Sequence, residues 1–181
     1  MKIIGNSSNL IFLLILLFPF LIYSQHKSSK DSLRSKYIIA AKEIMTNTGN
    51  CALITLDKEG RPRVRVMDPF APEEDLTVWF GTNPKSRKVD QIKNDPRVTL
   101  YYFDRDAVGY VMIHGTAHLI NDIKEKEHRW KDNWDAFYPN KNEDYILIKV
   151  SPNWMEIVSY KHGIMGDSIT WTPPSILFNS H

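Results

Sequence analysis

Cysteine is almost missing: Cys51 is the single thiol in 181 residues, so no intrachain disulfide can form in any compartment. It opens the apolar run Cys51–Leu56 and reads as a small buried hydrophobe, not a catalytic thiol. Neither G-x-G-x-x-G nor a Walker motif occurs, which disfavours the common nucleotide-binding folds. Net charge is only +2, with no long basic block, and this argues against nucleic acid as a partner. Internal repeats and low-complexity segments are lacking too. The apolar run Leu10–Ile22 is shorter than the ~20 residues a membrane span needs, and Pro19 interrupts it.

That run reads as the core of a secretory signal. Lys2 gives a thin positive start and Ser24 before Gln25 a small residue for cleavage, with Ile22 only tolerable at the −3 position. No cysteine follows the run and no twin arginine precedes it, so a lipoprotein is disfavoured and export is expected in the unfolded state, to the periplasm. An uncleaved membrane anchor is the alternative. The expected organisation is a signal peptide at 1–24, a disordered polar linker at 25–30, one domain at 31–160 and a C-terminal tail at 161–181. After cleavage no membrane contact is expected.

The spacing of Leu33, Tyr37, Ala41 and Ile44 predicts a helix over 31–48, stopped by Gly49. Cys51–Leu56 and Arg61–Asp68 predict a hairpin about the turn Asp57–Gly60. Leu76–Phe80 predicts a strand and Asn83-Pro84 the start of a helix, with Asn83 as N-cap, ending at Asn94-Asp95-Pro96. Further strands are expected over Val98–Phe103 and Gly109–Ile120, with Gly115 marking a bulge. Asp122–Phe137 reads as a helix whose Trp130, Trp134 and Phe137 enter the core. Asp144–Val150 and Met155–Tyr160 read as two strands about Ser151-Pro152-Asn153. Short strands joined by hairpins, with helices only at intervals, indicate a mainly β chain: a six- to seven-stranded antiparallel barrel with flanking helices.

One stretch is electrostatically odd. Lys85, Arg87 and Lys88 crowd the expected first helical turn, where the helix dipole disfavours cations. An anion resolves the conflict if free backbone N–H groups, the Ser86 hydroxyl and the cationic side chains hold it, and phosphate is the natural choice. A solvated basic turn is the plain alternative. Arg65 stands mid-strand in an apolar alternation and reaches the same anion if its strand runs beside Leu76–Phe80; otherwise it is a surface arginine on an edge strand.

Three words in this order, Gly60-x-Pro62-x-x-Arg65-x-Met67, Phe80-Gly-Thr82-Asn-x-x-Ser86-Arg87-Lys88 and Asn94-x-Pro96-Arg-Val98, resemble the pyridoxamine 5′-phosphate oxidase-related superfamily, general stress protein type. Met112-Ile-His-Gly115-Thr-Ala117, Phe137-Tyr-Pro139 and Ile148-Lys-Val150-Ser-Pro152 extend the likeness over about residues 33–160. The resemblance implies a Greek-key split β-barrel, a homodimer, and FMN in clefts at its interface. It implies that Arg65, Ser86, Arg87 and Lys88 hold the FMN phosphate, and that the backbone at Val66 and Met67, with Thr82, flanks the ring and ribityl chain. Tyr110 falls where the oxidases carry a glutamine that touches the flavin. Trp171 is assigned as a cover for the flavin on aromatic type and position alone.

Two departures bear on activity. Phe70 stands where the oxidases have a substrate-holding lysine, and no arginine follows Arg129 to supply their C-terminal Arg-x-His. Losing both cations leaves a second phosphate poorly held, which disfavours pyridoxamine phosphate oxidation itself. The leading expectation is an exported flavin-dependent oxidoreductase of unassigned substrate. The alternatives are a non-catalytic binder of flavin or another phospho-ligand, a cofactor-free dimeric barrel, or a haem-binding barrel with His162 or His181 as axial ligand. His114 and His118 share one side of their strand and reach a common metal only if it bends at Gly115; no metal site is assigned. Glu73-Glu74 and Glu125/Glu127 read as solvated charge.

Overall fold

The computed structural model describes residues 31–178. The expected signal peptide, the linker and His181 lie outside the described residues. The chain divides into a unit ending at Tyr37 and a body from Ile38 onward, which holds the sheet.

Helix α1 spans residues 31–48. Within the body it buries Ala40, Ala41, Ile44 and Met45, and Gly49 ends it at φ +66°. Strands β1 (Cys51–Leu56) and β2 (Pro62–Met67) form the expected hairpin, in full register from Cys51↔Met67 to Leu56↔Pro62. Gly60 supplies the left-handed residue of its turn at φ +74°. Strand β3 (Val78–Thr82) starts two residues later than expected, because Leu76, itself fully buried, takes φ +65° and donates its N–H to Glu73 O. Helix α2 (Arg87–Asn94) follows, then the long antiparallel pair β4 (Arg97–Asp104) and β5 (Gly109–Ile120).

Gly115 is a bulge, as expected. The β5 pairing shifts register between His114 and Gly115, and a Cβ there would lie 2.7 Å from Ser151 O. The bulge falls between His114 and His118, and His114 instead stacks on Trp154 at 4.7 Å.

Two expectations need correction. The helix expected over 122–137 is only α3 (Ile123–His128), followed by a 3₁₀ turn at Trp134–Ala136. The helix ends at Arg129, at φ −109° and ψ 64°, and Asn133 turns the chain again at φ +67°, so Trp130 and Trp134 pack inward but Phe137 is left 72% exposed. The two strands expected over 144–160 are one, β6 (Ile146–Ser159). Its outer partner changes at Pro152: residues 146–150 pair with β3, and Trp154–Glu156 pair with β7 (Ser175–Leu177). Proline sits where no outer strand asks for its N–H, so it does not end the strand.

All pairings are antiparallel, in the order β2-β1-β4-β5-β6-β3, and β7 adds to β6. The sheet closes on itself where the chain beyond β2 meets β3: Pro69 bridges Phe80, and Phe70 N–H donates to Trp79 O at 2.8 Å. The barrel interior holds Leu53, Phe80, Leu100, Ile113, Ile148 and Ile157, all fully buried. Glu73 and Glu125 are not merely solvated: Glu73 accepts from Trp79 Nε1 at 2.8 Å and pairs with Arg129, which also pairs with Glu125.

Candidate functional site

The start of α2 is built in two steps. Asn83 does not cap the helix; its Oδ1 accepts from the Lys85 N–H at 2.8 Å and makes a turn of Asn83–Ser86. Ser86 is the N-cap, extended at φ −73° and ψ 145°, and its hydroxyl makes no cap bond. The N–H groups of Arg87 and Lys88 therefore open the helix with no carbonyl of α2 to reach. Thr82, at the end of β3, lies with its Oγ1 3.4 Å from Ser86 Oγ and accepts from Lys88 Nζ at 2.9 Å.

Arg65 reaches this place from the inward side of β2, which closes on β3 only beyond Met67 and does not pair with it directly. Its Nη1 donates to Thr55 Oγ1 at 2.7 Å and to Leu53 O at 3.4 Å, and its Nη2 donates to Gln91 Oε1 at 2.9 Å. Burial lowers the pKa of Arg65, and the Arg87 charge lowers it further. Burial likewise lowers Lys88 below the ordinary lysine value, with Arg65 adding to the effect. Among the described residues no carboxylate pairs with Arg65, Arg87 or Lys88. Cations that repel one another, two of them half-buried, beside open helix N–H groups and a hydroxyl that makes no cap bond have the chemistry to receive an anion.

Comparison with known proteins agrees with the fold. A family model described as "Pyridoxamine 5'-phosphate oxidase like" matches residues 39–169, well over half of the chain. The chain belongs to this family. General stress protein 26 of Bacillus subtilis (strain 168) is 25% identical over 112 residues, covering 60% of this chain and 78% of that one. A Clostridium acetobutylicum protein related to general stress protein 26 superposes with a TM-score of 0.62 at 23% identity, over 70% of this chain and 90% of its own. A Nostoc punctiforme structure described as a pyridoxamine 5'-phosphate oxidase-related, FMN binding protein gives 0.52 at 16% identity, over 80% and 94%. One from Mycobacterium smegmatis, described as a heme binding protein, gives 0.54 at 17%, over 67% and 53%.

Of the residues that the family words singled out, the structure brings Arg65, Thr82, Ser86, Arg87 and Lys88 together. The Met67 side chain turns into the core and that of Val66 turns out, 74% exposed. Tyr110 and Trp171 lie elsewhere, lining with Met165 and Tyr160 a cavity of about 480 Å³. Tyr110 donates to Glu156 Oε1 at 3.0 Å, and burial followed by that bond pushes its phenol up to about 12. Its ring sits 5.5 Å from Tyr101, which shares an outward-facing row with Ala52 and Val66.

Phe70, in the oxidase lysine position, packs edge-on against Trp134 at 5.6 Å. His162 has both ring nitrogens engaged, by Ser159 Oγ at 2.8 Å and Glu43 Oε2 at 3.0 Å. Cys51 is buried, and burial pushes its thiol up to about 12. Thr55 and Gln91 are the partners that sequence reading missed. The available signal was spacing: Gln91 follows Arg87 by four and Lys88 by three, which puts all three on one face of α2.

Proposed function

We propose that the protein is an exported, homodimeric FMN-binding split barrel that works as a flavin-dependent oxidoreductase. The observation that carries this reading is the grouping of Arg65, Arg87 and Lys88 without a carboxylate, at a helix start whose Ser86 hydroxyl makes no cap bond. The residues present fit the phosphate of FMN. The two N–H groups, Ser86, Arg87 and Lys88 receive its oxygens, Arg65 closes from the barrel side, and Thr82 fixes the Lys88 ammonium. The backbone at Val66 and Met67 flanks the ring, and Tyr110 and Trp171 bound its far side.

When bound, FMN supplies hydride exchange with a substrate. The chain's own part is to hold the phosphate, set the ring against β2 and keep water from it. Val64 (67% exposed), Val66 and Phe103 (57%) form an apolar outer face on β2 and β4, and a second copy covers it in this reading. Phe70 in place of a substrate lysine supports a substrate other than a phosphorylated pyridoxamine. Export is proposed from the apolar N-terminal run alone.

The test is the spectrum and mass of the small molecule that co-purifies with the protein from its native compartment. Flavin absorbance with the mass of FMN, bleached by a nicotinamide donor and restored by an acceptor, is expected. Flavin that never bleaches makes the protein a carrier, and a colourless protein or a haem spectrum overturns the reading.

A further inference from the structure

The way Arg65 is held differs from that of its neighbours. Arg61, Arg63, Arg97 and Arg129 are each gripped by carboxylates, at Asp57, Glu59, Asp95, Glu73 and Glu125. The three oxygens that receive Arg65, Leu53 O, Thr55 Oγ1 and Gln91 Oε1, are neutral. The Thr55 hydroxyl also donates to Gln91 Oε1 at 2.6 Å, closing a ring of three side chains. Arginine only donates, so Thr55 accepts from it and passes its own proton to Gln91, and the Gln91 oxygen must face the guanidinium. Thr55 is fully buried, which fixes the ring to the floor of the barrel.

We propose that Thr55 and Gln91 are positioning residues of the phosphate site, orienting Arg65 through uncharged acceptors so that its whole charge stays available to a ligand. A carboxylate in place of the Gln91 amide would orient the guanidinium equally well. It would also neutralise the guanidinium and place a negative charge beside the incoming phosphate. Lys88 follows the same rule, its ammonium held by the neutral Thr82 Oγ1. The scaffold accepts repulsion among cations in the empty site in exchange for attraction in the filled one.

This rests on the FMN reading above, and the test separates the two. Full-length protein stripped of ligand is titrated with FMN and with riboflavin, which lacks the phosphate. Gln91→Glu is expected to weaken FMN at least about tenfold, riboflavin being unchanged and the melting temperature not lowered. Thr55→Val is expected to weaken FMN and Thr55→Ser to restore it. Should Gln91→Glu fail to fold, Gln91→Met, which keeps the length without the acceptor, is expected to weaken FMN alone. Equal loss of FMN and riboflavin assigns Gln91 a merely structural role and overturns the proposal. Unchanged FMN binding in the Gln91 and Thr55 variants, beside loss in Arg65→Ala, overturns the proposal while the phosphate site stands. Unchanged binding in Arg65→Ala as well overturns the phosphate site itself.

Discussion

Replacing Arg65 and Lys88 together by alanine removes two of the three cations gathered at the start of α2. Each is half-buried, and each would give a phosphate oxygen a charge-assisted hydrogen bond worth ~1.5–3 kcal/mol. If the two added fully, FMN would lose ~3–6 kcal/mol, a factor of about 10² to 10⁴ in Kd. Both would hold one phosphate, so the lower half of that range is expected. The ligand-free protein should respond in the opposite sense. Burial, then Arg65, lowers the Lys88 pKa, so the charged lysine costs the folded state stability at neutral pH. That loss is present below the folded pKa and is relieved as pH rises through it towards the ordinary lysine value. Lys88→Met alone should therefore leave the ligand-free melting temperature unchanged or raised while weakening FMN. Flavin fluorescence quenching and thermal melts of the same samples read both effects. A double variant that binds FMN within about threefold of the parent, or a Lys88→Met protein that melts earlier in proportion to its lost affinity, would refute this assignment.

Gly81→Ala should cost about 1–3 kcal/mol by overpacking, because its Cβ would meet the Trp134 ring and lie 2.5 Å from Tyr145; denaturant titration measures it. Cys51, buried and with its thiol pushed up to about 12, should resist alkylation in the folded protein and react readily once unfolded, as mass spectrometry will show. The side chain and backbone N–H of Arg97 hold the Asp95 carboxyl down to about 2. Its stabilising contribution is complete above the unfolded value of ~3.9 and is lost as pH falls through the folded one, so Asp95→Asn should flatten the melting-temperature profile on that acid limb. Phe103→Asp, on the apolar outer face, should abolish the proposed dimer in sedimentation without unfolding the barrel.

The sheet was readable because its signals are local and periodic. The apolar run Cys51–Leu56, the Asp57–Gly60 turn and the Gly115 bulge are each carried by a short stretch of chain. What escaped depended on neighbours. Pro152 looks like the apex of a turn until its strand is seen to change partners there. Trp130, Trp134 and Phe137 keep helical spacing, but the helix stops at Arg129, before the first of them, and Asn133 turns the chain again. Asn83 carries the mark of an N-cap, yet its side chain bonds Lys85 first and moves the helix start to Ser86. The cations of the site were visible as charge in the wrong place. Their orienting partners Thr55 and Gln91 were not, since a neutral oxygen leaves no anomaly in a sequence.

The cation group at the start of α2 is proposed to recognise a phosphate. The most direct test compares FMN with riboflavin on the unaltered ligand-free protein, in one buffer free of phosphate. FMN should bind at least about 100-fold more tightly, with added inorganic phosphate competing for the difference. Equal affinities, unmoved by phosphate, would contradict the account.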